Sequence, residues 1–499
     1  MSGKFKLMEI TVDEIHEAME AGEVTSEELV ERYIERIEAY DYSGPKLNSI
    51  VTINENAAKR AAELDEKRET DGFVGPLHGI PVLVKDQAET KGVVTTFGSE
   101  ACAEYIPEAD ATIVSRIKEA GAVVLAKTNL PDWACAYFTF SSASGQTKNP
   151  YDLERDPGGS SGGTGASVAA NLGVVGIGED TGGSIRVPSA NCNLYGIRPT
   201  TGLVSRTGLS PIVPRQDTAG PMARTVTDMT YLLDVLVGYD AEDPWSGATA
   251  QSEVSSYTDY LNEDGLETKR IGVLRDLFGD DDNPDGAPVN EAVENAIETL
   301  SEAGAKIVDP VSVPNIEEQI TKTEVYDYFG SIYLNDFIAE RDNIPYENTQ
   351  DILEDGAYHE NLGLFEAIAS VTEDPKDVLD FWRNTLGQET FRRDVLDTFA
   401  ANDLDALVFP NVQVVPPLVS ELGEKYTTAD FPANTPLGAQ TQCPAVSVPG
   451  ELTKNRLPIG IELLGKPYHE HELVEMAYAY EQVADTRTPP DVTPPLSSE

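Results

Sequence analysis

Apolar residues recur every three or four positions between Thr11 and Tyr40, in VDEIHEAMEAGEV and then SEELVERYIERIEAY. This spacing predicts two amphipathic helices at the start of the chain, with Ser26 placed to cap the second. A charged helix follows around Asn56 to Glu69, and the pattern then changes. IPVLVKD reads as a strand, ATIVSRIKEAG as a helix and AVVLAKTN as a strand. Strand, helix and strand in succession predict an α/β layered fold. From Gly145 to Gly208 glycine, serine and threonine dominate, with GGSSGGTG and DTGGS separated by ASVAANLGVVGIG. A flexible linker would not carry that apolar interior, so the segment reads as tightly packed core. An acidic section containing GDDDNPDGAP comes next, then the helix VNEAVENAIETLSEAG and the strand AKIVDPV. Residues from about Asn315 to Ala400 read as mostly helical and rich in aromatics. DALVFPNV, PAVSVPG and LPIGIELLG return to strands, HELVEMAYAYEQVA closes on a helix, and DTRTPPDVTPPLSSE reads as a loose tail.

Composition narrows the partners. Of 499 residues, 86 are acidic and 36 basic, a formal net charge of −50. Such a polyanion repels phosphate backbones and anionic lipid surfaces, which argues against nucleic acid or membrane as direct ligands. Solubility alone is one account of the charge. A carboxylate coat suited to a salt-loaded cytoplasm, where ions screen the repulsion, accounts for its size better. The four cysteines, Cys102, Cys135, Cys192 and Cys443, lie far apart and read as reduced thiols. The opening residues lack a signal pattern and no apolar run is long enough to span a bilayer, so a cytoplasmic protein is expected.

The five histidines are scattered, and His469-Glu470-His471 lacks the spacing that sets two imidazoles on one helix face. That trio reads as a solvated helix start, and no metal site is expected. Gly158-Gly159-Ser160-Ser161-Gly162 matches a nucleophile elbow in form, but the polar, proline-broken NPYDLERDP before it is no strand. Ser43-Gly44-Pro45-Lys46 reads as a turn. A serine nucleophile without histidine needs another base, and a lysine serves if burial keeps it neutral. Lys85, directly after the apolar run Ile80–Val84, is the candidate; the local alternative is a strand-end ion pair with Asp86. The consecutive glycines before Ser184 in GEDTGGSIRVP let backbone N–H groups converge on a developing oxyanion.

Together these elements resemble the amidase signature family. The resemblance runs from LHGIPVLVKD through KTNLPDWA, PGGSSGGTGASVAA, EDTGGSIRVPSANCNLYGIRPTTGLVS and RQDTAGPMARTV to CPAVSVPG and LPIGIELLG. It implies a single large α/β domain whose mixed, mostly parallel central sheet is covered by helices on both faces. It implies Ser184 as nucleophile, Ser160 after a cis peptide bond as bridge, and Lys85 as base. It further implies an oxyanion hole from the N–H groups of Thr181, Gly182, Gly183 and Ser184, with Asp180, Arg186 and Ser161 in support, and no metal or cofactor. The chain then divides into N-terminal helices (1–70), the signature core (71–235), a variable substrate-selecting section with a βαβ-like part (236–400), strands and a helix completing the core (401–485), and a tail (486–499). Glu179 and Glu462 depart from the pattern, where serine or threonine and glutamine are more usual.

The family's members act on small aliphatic or aromatic amides, fatty acid amides, peptide C-terminal amides or tRNA-linked glutamine, so the motif implies a reaction type and not a substrate. YDYSGPKLNSIVTIN, RQDTAGPMART and NLGLFEAI are most similar to the peptide-amidase-like branch. The expectation is an amidase acting on a small-molecule or peptide amide. The alternative is the A component of a tRNA-dependent amidotransferase, which passes ammonia to a partner. The sequence does not fix the oligomeric state, and a homodimer is among the options.

Overall fold

The computed structural model describes residues 5–497. The two opening helices are α1 (Val12–Glu20) and α2 (Ser26–Arg36), and the charged one is α3 (Ala57–Asp71). Thr11 and Thr25 cap the first two. Each hydroxyl accepts from the N–H three residues on, and the glutamate there, Glu14 or Glu28, reaches back to the threonine N–H. Ser26, expected as the cap, is instead the first helical residue, and its N–H donates to Asp65 Oδ1 at 2.8 Å.

The strands are β1 (Ile50–Ile53), β2 (Pro81–Lys85), β3 (Val123–Thr128), the short pair β4 (Phe140–Ser141) and β5 (Gly145–Gln146), β6 (Val175–Glu179), β7 (Tyr195–Arg198), β8 (Ala219–Ala223), β9 (Arg270–Leu274), β10 (Lys306–Val311), β11 (Ala406–Pro410), β12 (Ala445–Pro449) and β13 (Gly460–Leu464). Among the described residues, eleven of them form one sheet in the order β1-β3-β2-β6-β8-β7-β12-β13-β11-β9-β10. Every residue of β2, β3, β6, β7, β8, β11, β12 and β13 is buried. Strands covered on both faces read as unbroken apolar runs, which is why IPVLV and AVVLA stood out in the sequence.

The sheet is mixed, as expected, and helices flank it, but it is not mostly parallel. Six of its ten pairings are antiparallel (β1/β3, β6/β8, β7/β8, β7/β12, β12/β13, β11/β13) and four parallel. The strand–helix–strand runs seen in the sequence do make parallel neighbours: β2 and β3 around α4 (Thr112–Glu119), and β9 and β10 around the helix Ala287–Glu302. From β6 to β11 across the sheet, every neighbouring pair is antiparallel.

The glycine-rich stretch is core. Its helices α5 (Gly162–Ala169) and α6 (Arg186–Asn191) are buried at every position. A second apolar cluster joins Phe97, Trp133 and Phe138 to Phe337 and Phe365 of the aromatic helical section. The segment expected to be a loose tail is tied down. Arg36 donates to the carbonyls of Thr493 (2.9 Å) and Pro494 (3.1 Å), and Arg487 pairs with Glu9 at 2.9 Å. All four cysteines are free and buried. No helix among the described residues is long and apolar enough to cross a membrane.

Candidate active site

Two parallel neighbours, β2 and β6, set the site. Val84 lies opposite Ile177, so Lys85 and Glu179 emerge together at the carboxyl ends of adjacent strands, where open α/β sheets place their ligands. Lys85 is 1% exposed and Ser160 fully buried, and Lys85 Nζ donates to Ser160 Oγ at 2.8 Å. The Gly159–Ser160 peptide is cis. Lys85 Nζ also donates to the Glu179 carbonyl at 3.1 Å and lies 3.5 Å from Glu179 Oε2. Burial drives the lysine well below its ordinary range, the Glu179 carboxylate opposing, and burial drives Glu179 upward.

Asp86, the local alternative partner for Lys85, faces elsewhere. Its Oδ1 pairs with Lys127 Nζ at 3.0 Å and its Oδ2 accepts from the N–H and hydroxyl of Thr96. Successive strand residues point to opposite faces, so a residue and its successor rarely pair. Lys127 is a second buried lysine that the sequence reading missed. It ends AVVLAK as Lys85 ends IPVLVK, and that parallel was the available signal.

Ser184 is brought to the same place by the main chain, where the N–H of Ser161 donates to the Ser184 carbonyl at 3.1 Å. Ser161 Oγ also bridges to the backbone of Glu179. In the Thr181–Ser184 loop the carbonyls are occupied: Gln216 Nε2 donates to that of Thr181, and Thr435 Oγ1 (2.8 Å) and Tyr137 Oη (3.2 Å) donate to that of Gly182. The N–H groups of Thr181, Gly182, Gly183 and Ser184 donate to no acceptor among the described residues. Both glycines are required by close approach. A β-carbon on Gly182 would lie 2.4 Å from Tyr326 Oη and one on Gly183 1.9 Å from Thr435 Oγ1, and Gly183 has φ +139°.

Asp180 and Arg186 are fully buried and bidentate, at 3.0 and 3.1 Å, and Arg198 donates to Asp180 Oδ1 at 2.8 Å. After the cost of burial, the two guanidiniums hold the Asp180 carboxyl far below the usual carboxylate range. Arg186 also bonds Glu462 Oε1, while Glu462 Oε2 accepts from Asn411 at 2.8 Å. Glu462, Arg198 and Asn411 come from separate strands and their neighbouring loops, and only Glu462 drew notice in the sequence.

Ser184, Thr181 and Gly182 open onto a cavity of about 520 Å³. Tyr137, Ile212, Tyr326 and Leu364 supply much of its wall, and Glu324, Glu360 and Glu366 its charge; no Lys or Arg lines it among the described residues. Tyr137 lies within the signature core and Tyr326 in the helical section, and neither carried a sequence signal. His469, His471 and Glu472 lie apart from this site, with potential ligand atoms within 4.8 Å of one another. Lys466 Nζ stands 3.8 Å from the same Glu472 oxygen and competes with any cation there. Glu470, between the histidines, is fully buried and accepts from the Thr200 N–H at 2.7 Å, so this helix start is not simply solvated.

The chain is similar to known proteins along nearly its whole length. The chain is 35% identical to the A component of the glutamyl-tRNA(Gln) amidotransferase of Carboxydothermus hydrogenoformans, over 96% of this chain and 98% of that one. It is 32% identical to the same component in Thermoanaerobacter pseudethanolicus, over 96% and 97%. Among solved structures, the peptide amidase of Stenotrophomonas maltophilia superposes with a TM-score of 0.88 at 34% identity, covering 98% of this chain and 99% of that one. The family model described as Amidase matches residues 28–474. With the match spanning nearly all of the sheet and every residue of the site, the chain belongs to the amidase family.

Proposed function

We propose that this chain cleaves a carboxamide C–N bond through an acyl-enzyme on Ser184, with Ser160 and a neutral Lys85 as proton relay. The observation that carries this reading is the 2.8 Å contact from Lys85 Nζ to Ser160 Oγ inside a water-excluded core, next to four undonated N–H groups. As Ser184 Oγ bonds to the carbonyl carbon, its proton passes to Ser160 and that of Ser160 to Lys85. The N–H groups of residues 181–184 receive the charge that develops on the carbonyl oxygen. The C–N bond then breaks, the relay returns the proton to the departing nitrogen, and water releases the acid. Asp180 and Arg186 hold the loop, and Ser161 ties it to the relay.

Two physiological roles share this chemistry. The curated relatives favour the A component of a glutamyl-tRNA(Gln) amidotransferase, releasing ammonia from glutamine for a partner; identities of 32–35% run the length of the chain. The cavity favours a stand-alone amidase, because its carboxylates and lack of basic side chains leave the α-carboxylate of free glutamine unpaired. The test is the purified chain alone against acetamide, benzamide, a long-chain amide, a peptide amide and glutamine. Turnover of simple amides with little glutaminase activity supports the amidase. Slow glutamine hydrolysis together with copurification of a partner supports the amidotransferase role. Activity retained in Ser184→Ala sinks both.

A further inference from the structure

Glu179 is a buried carboxyl, 2% exposed, at a position where the family more usually has a small hydroxyl residue. Its hydrogen bonds do not suit an anion. Among the described residues Oε2 has a single hydrogen-bond partner, Lys85 Nζ, at the long distance of 3.5 Å. Oε1 has, among the described residues, only the Thr181 hydroxyl, at 3.2 Å, and that same hydroxyl lies 2.6 Å from Asp217 Oδ1. A hydroxyl has one proton to donate. The shorter contact assigns it to Asp217, which also accepts from the N–H groups of Ile212 and Val213 and so is supported as the charged member. Glu179 Oε1 then faces an oxygen that has no proton left for it. A buried carboxylate in that state is costly, whereas a carboxylic acid donates to Thr181 Oγ1 and satisfies the whole chain.

We propose that Glu179 is a positioning residue that keeps, on its carboxyl, the proton which Lys85 must lack to serve as the base. The inference rests on the relay reading above. The transfer breaks an Nζ–H bond and forms an O–H bond on Glu179, turning an ammonium–carboxylate pair into an amine and an acid with no change in net charge. The proton therefore needs no path to solvent. The other charged groups facing the pair are Asp217, which burial pushes up while the Thr181 hydroxyl, Arg206 and the Val213 and Ile212 N–H groups favour its charged form, and Asp180, which Arg186 and Arg198 already engage. None offers Lys85 a closer carboxylate. The burial that pushes the glutamate up and the lysine down acts in the same sense.

The experiment is difference infrared spectroscopy of wild type against Glu179→Gln near neutral pH, with kcat/KM measured across pH for both and for Glu179→Leu. The expected difference spectrum contains the C=O stretch of a protonated carboxyl. Both variants are expected to lose roughly tenfold or more in kcat/KM, Leu more than Gln, because neither can take up the proton that Lys85 must shed. The acid limb of Glu179→Gln should keep its midpoint, since a neutral amide replaces a neutral acid. A difference spectrum showing only carboxylate bands, or an acid limb displaced to lower pH by about one unit as removal of an anion beside the lysine requires, would overturn the proposal. Far-UV circular dichroism checks the folding of each variant, and Glu179→Ser, the smaller hydroxyl residue, replaces any that misfolds. Lys85→Met separates the two claims: wild-type turnover there removes the relay, while the infrared result still reports the state of Glu179.

Discussion

Replacing Gly183 with alanine tests whether the loop's amides are held in place by packing. The added β-carbon would sit 1.9 Å from Thr435 Oγ1 and 2.5 Å from its Cβ, at a backbone φ of +139°. Thr435 can retreat only by giving up its 2.8 Å hydrogen bond to the Gly182 carbonyl, a loss of about 1 kcal/mol. Holding a side chain at that φ costs about 1–3 kcal/mol more. The variant should therefore be destabilised by about 2–4 kcal/mol, the sum of those two costs. The larger effect falls on catalysis. If the loop shifts by about 1 Å the amides miss the developing oxyanion, and the loss of one such donor costs about 10²–10³ in kcat. Single-turnover acylation of a peptide amide, with urea unfolding of the same preparation, separates the two effects. Gly183→Ala/Thr435→Gly removes the contacts with the Thr435 side chain, its Cβ included, but not the backbone strain and should recover about one of the lost decades. A folded Gly183→Ala with kcat within about twofold of wild type would refute the argument, given the size expected from a lost donor. A double variant no faster than the single would move the cost from Thr435 to the backbone.

Arg186→Met leaves Asp180 with Arg198 and the Ile185 N–H, and Glu462 with Asn411, and should lower the free energy of unfolding by about 3–5 kcal/mol in urea titration. Adding Glu462→Gln to it should recover part of that loss. The net charge of −50 predicts that the melting temperature rises from dilute buffer to molar KCl, as the screening length falls from about 10 Å at 0.1 M to about 3 Å at 1 M; a protein that melts lower in KCl contradicts the salt-adapted reading. Burial pushes the Cys102 and Cys135 thiols far above their ordinary range, so the native protein should show no titratable thiol with a disulfide reagent and all four after unfolding.

The elements legible in the sequence were those whose pattern is local. Buried strands announce themselves as apolar runs, which placed Lys85 at the end of β2, and the paired glycines before Ser184 marked a loop that needs close approach. What stayed hidden depends on which strands lie side by side. Strand order put β8 and β7 antiparallel between β6 and β12, and nothing in the order of elements along the chain distinguishes that from a parallel crossover. The same ignorance hid Lys127 as the partner of Asp86, and Tyr137 and Tyr326 as walls of the cavity.

Glu179 and Glu462 show where composition misleads. In a chain this acidic, two glutamates at positions usually uncharged look like spill-over from a solvated coat. Both are instead buried, at 2% and 0% exposure, and a buried carboxylate is tolerated only with partners. Glu462 has them: Arg186 on one oxygen and Asn411 on the other, which makes it the far anchor of the guanidinium that holds Asp180. Glu179 does not have enough donors for an anion, and the shortfall sits 3.5 Å from the amine proposed as base. The same substitution, an acid for a neutral side chain, is thus an ion pair at one end of the site and a proton store at the other. The number of donors each carboxyl meets decides which.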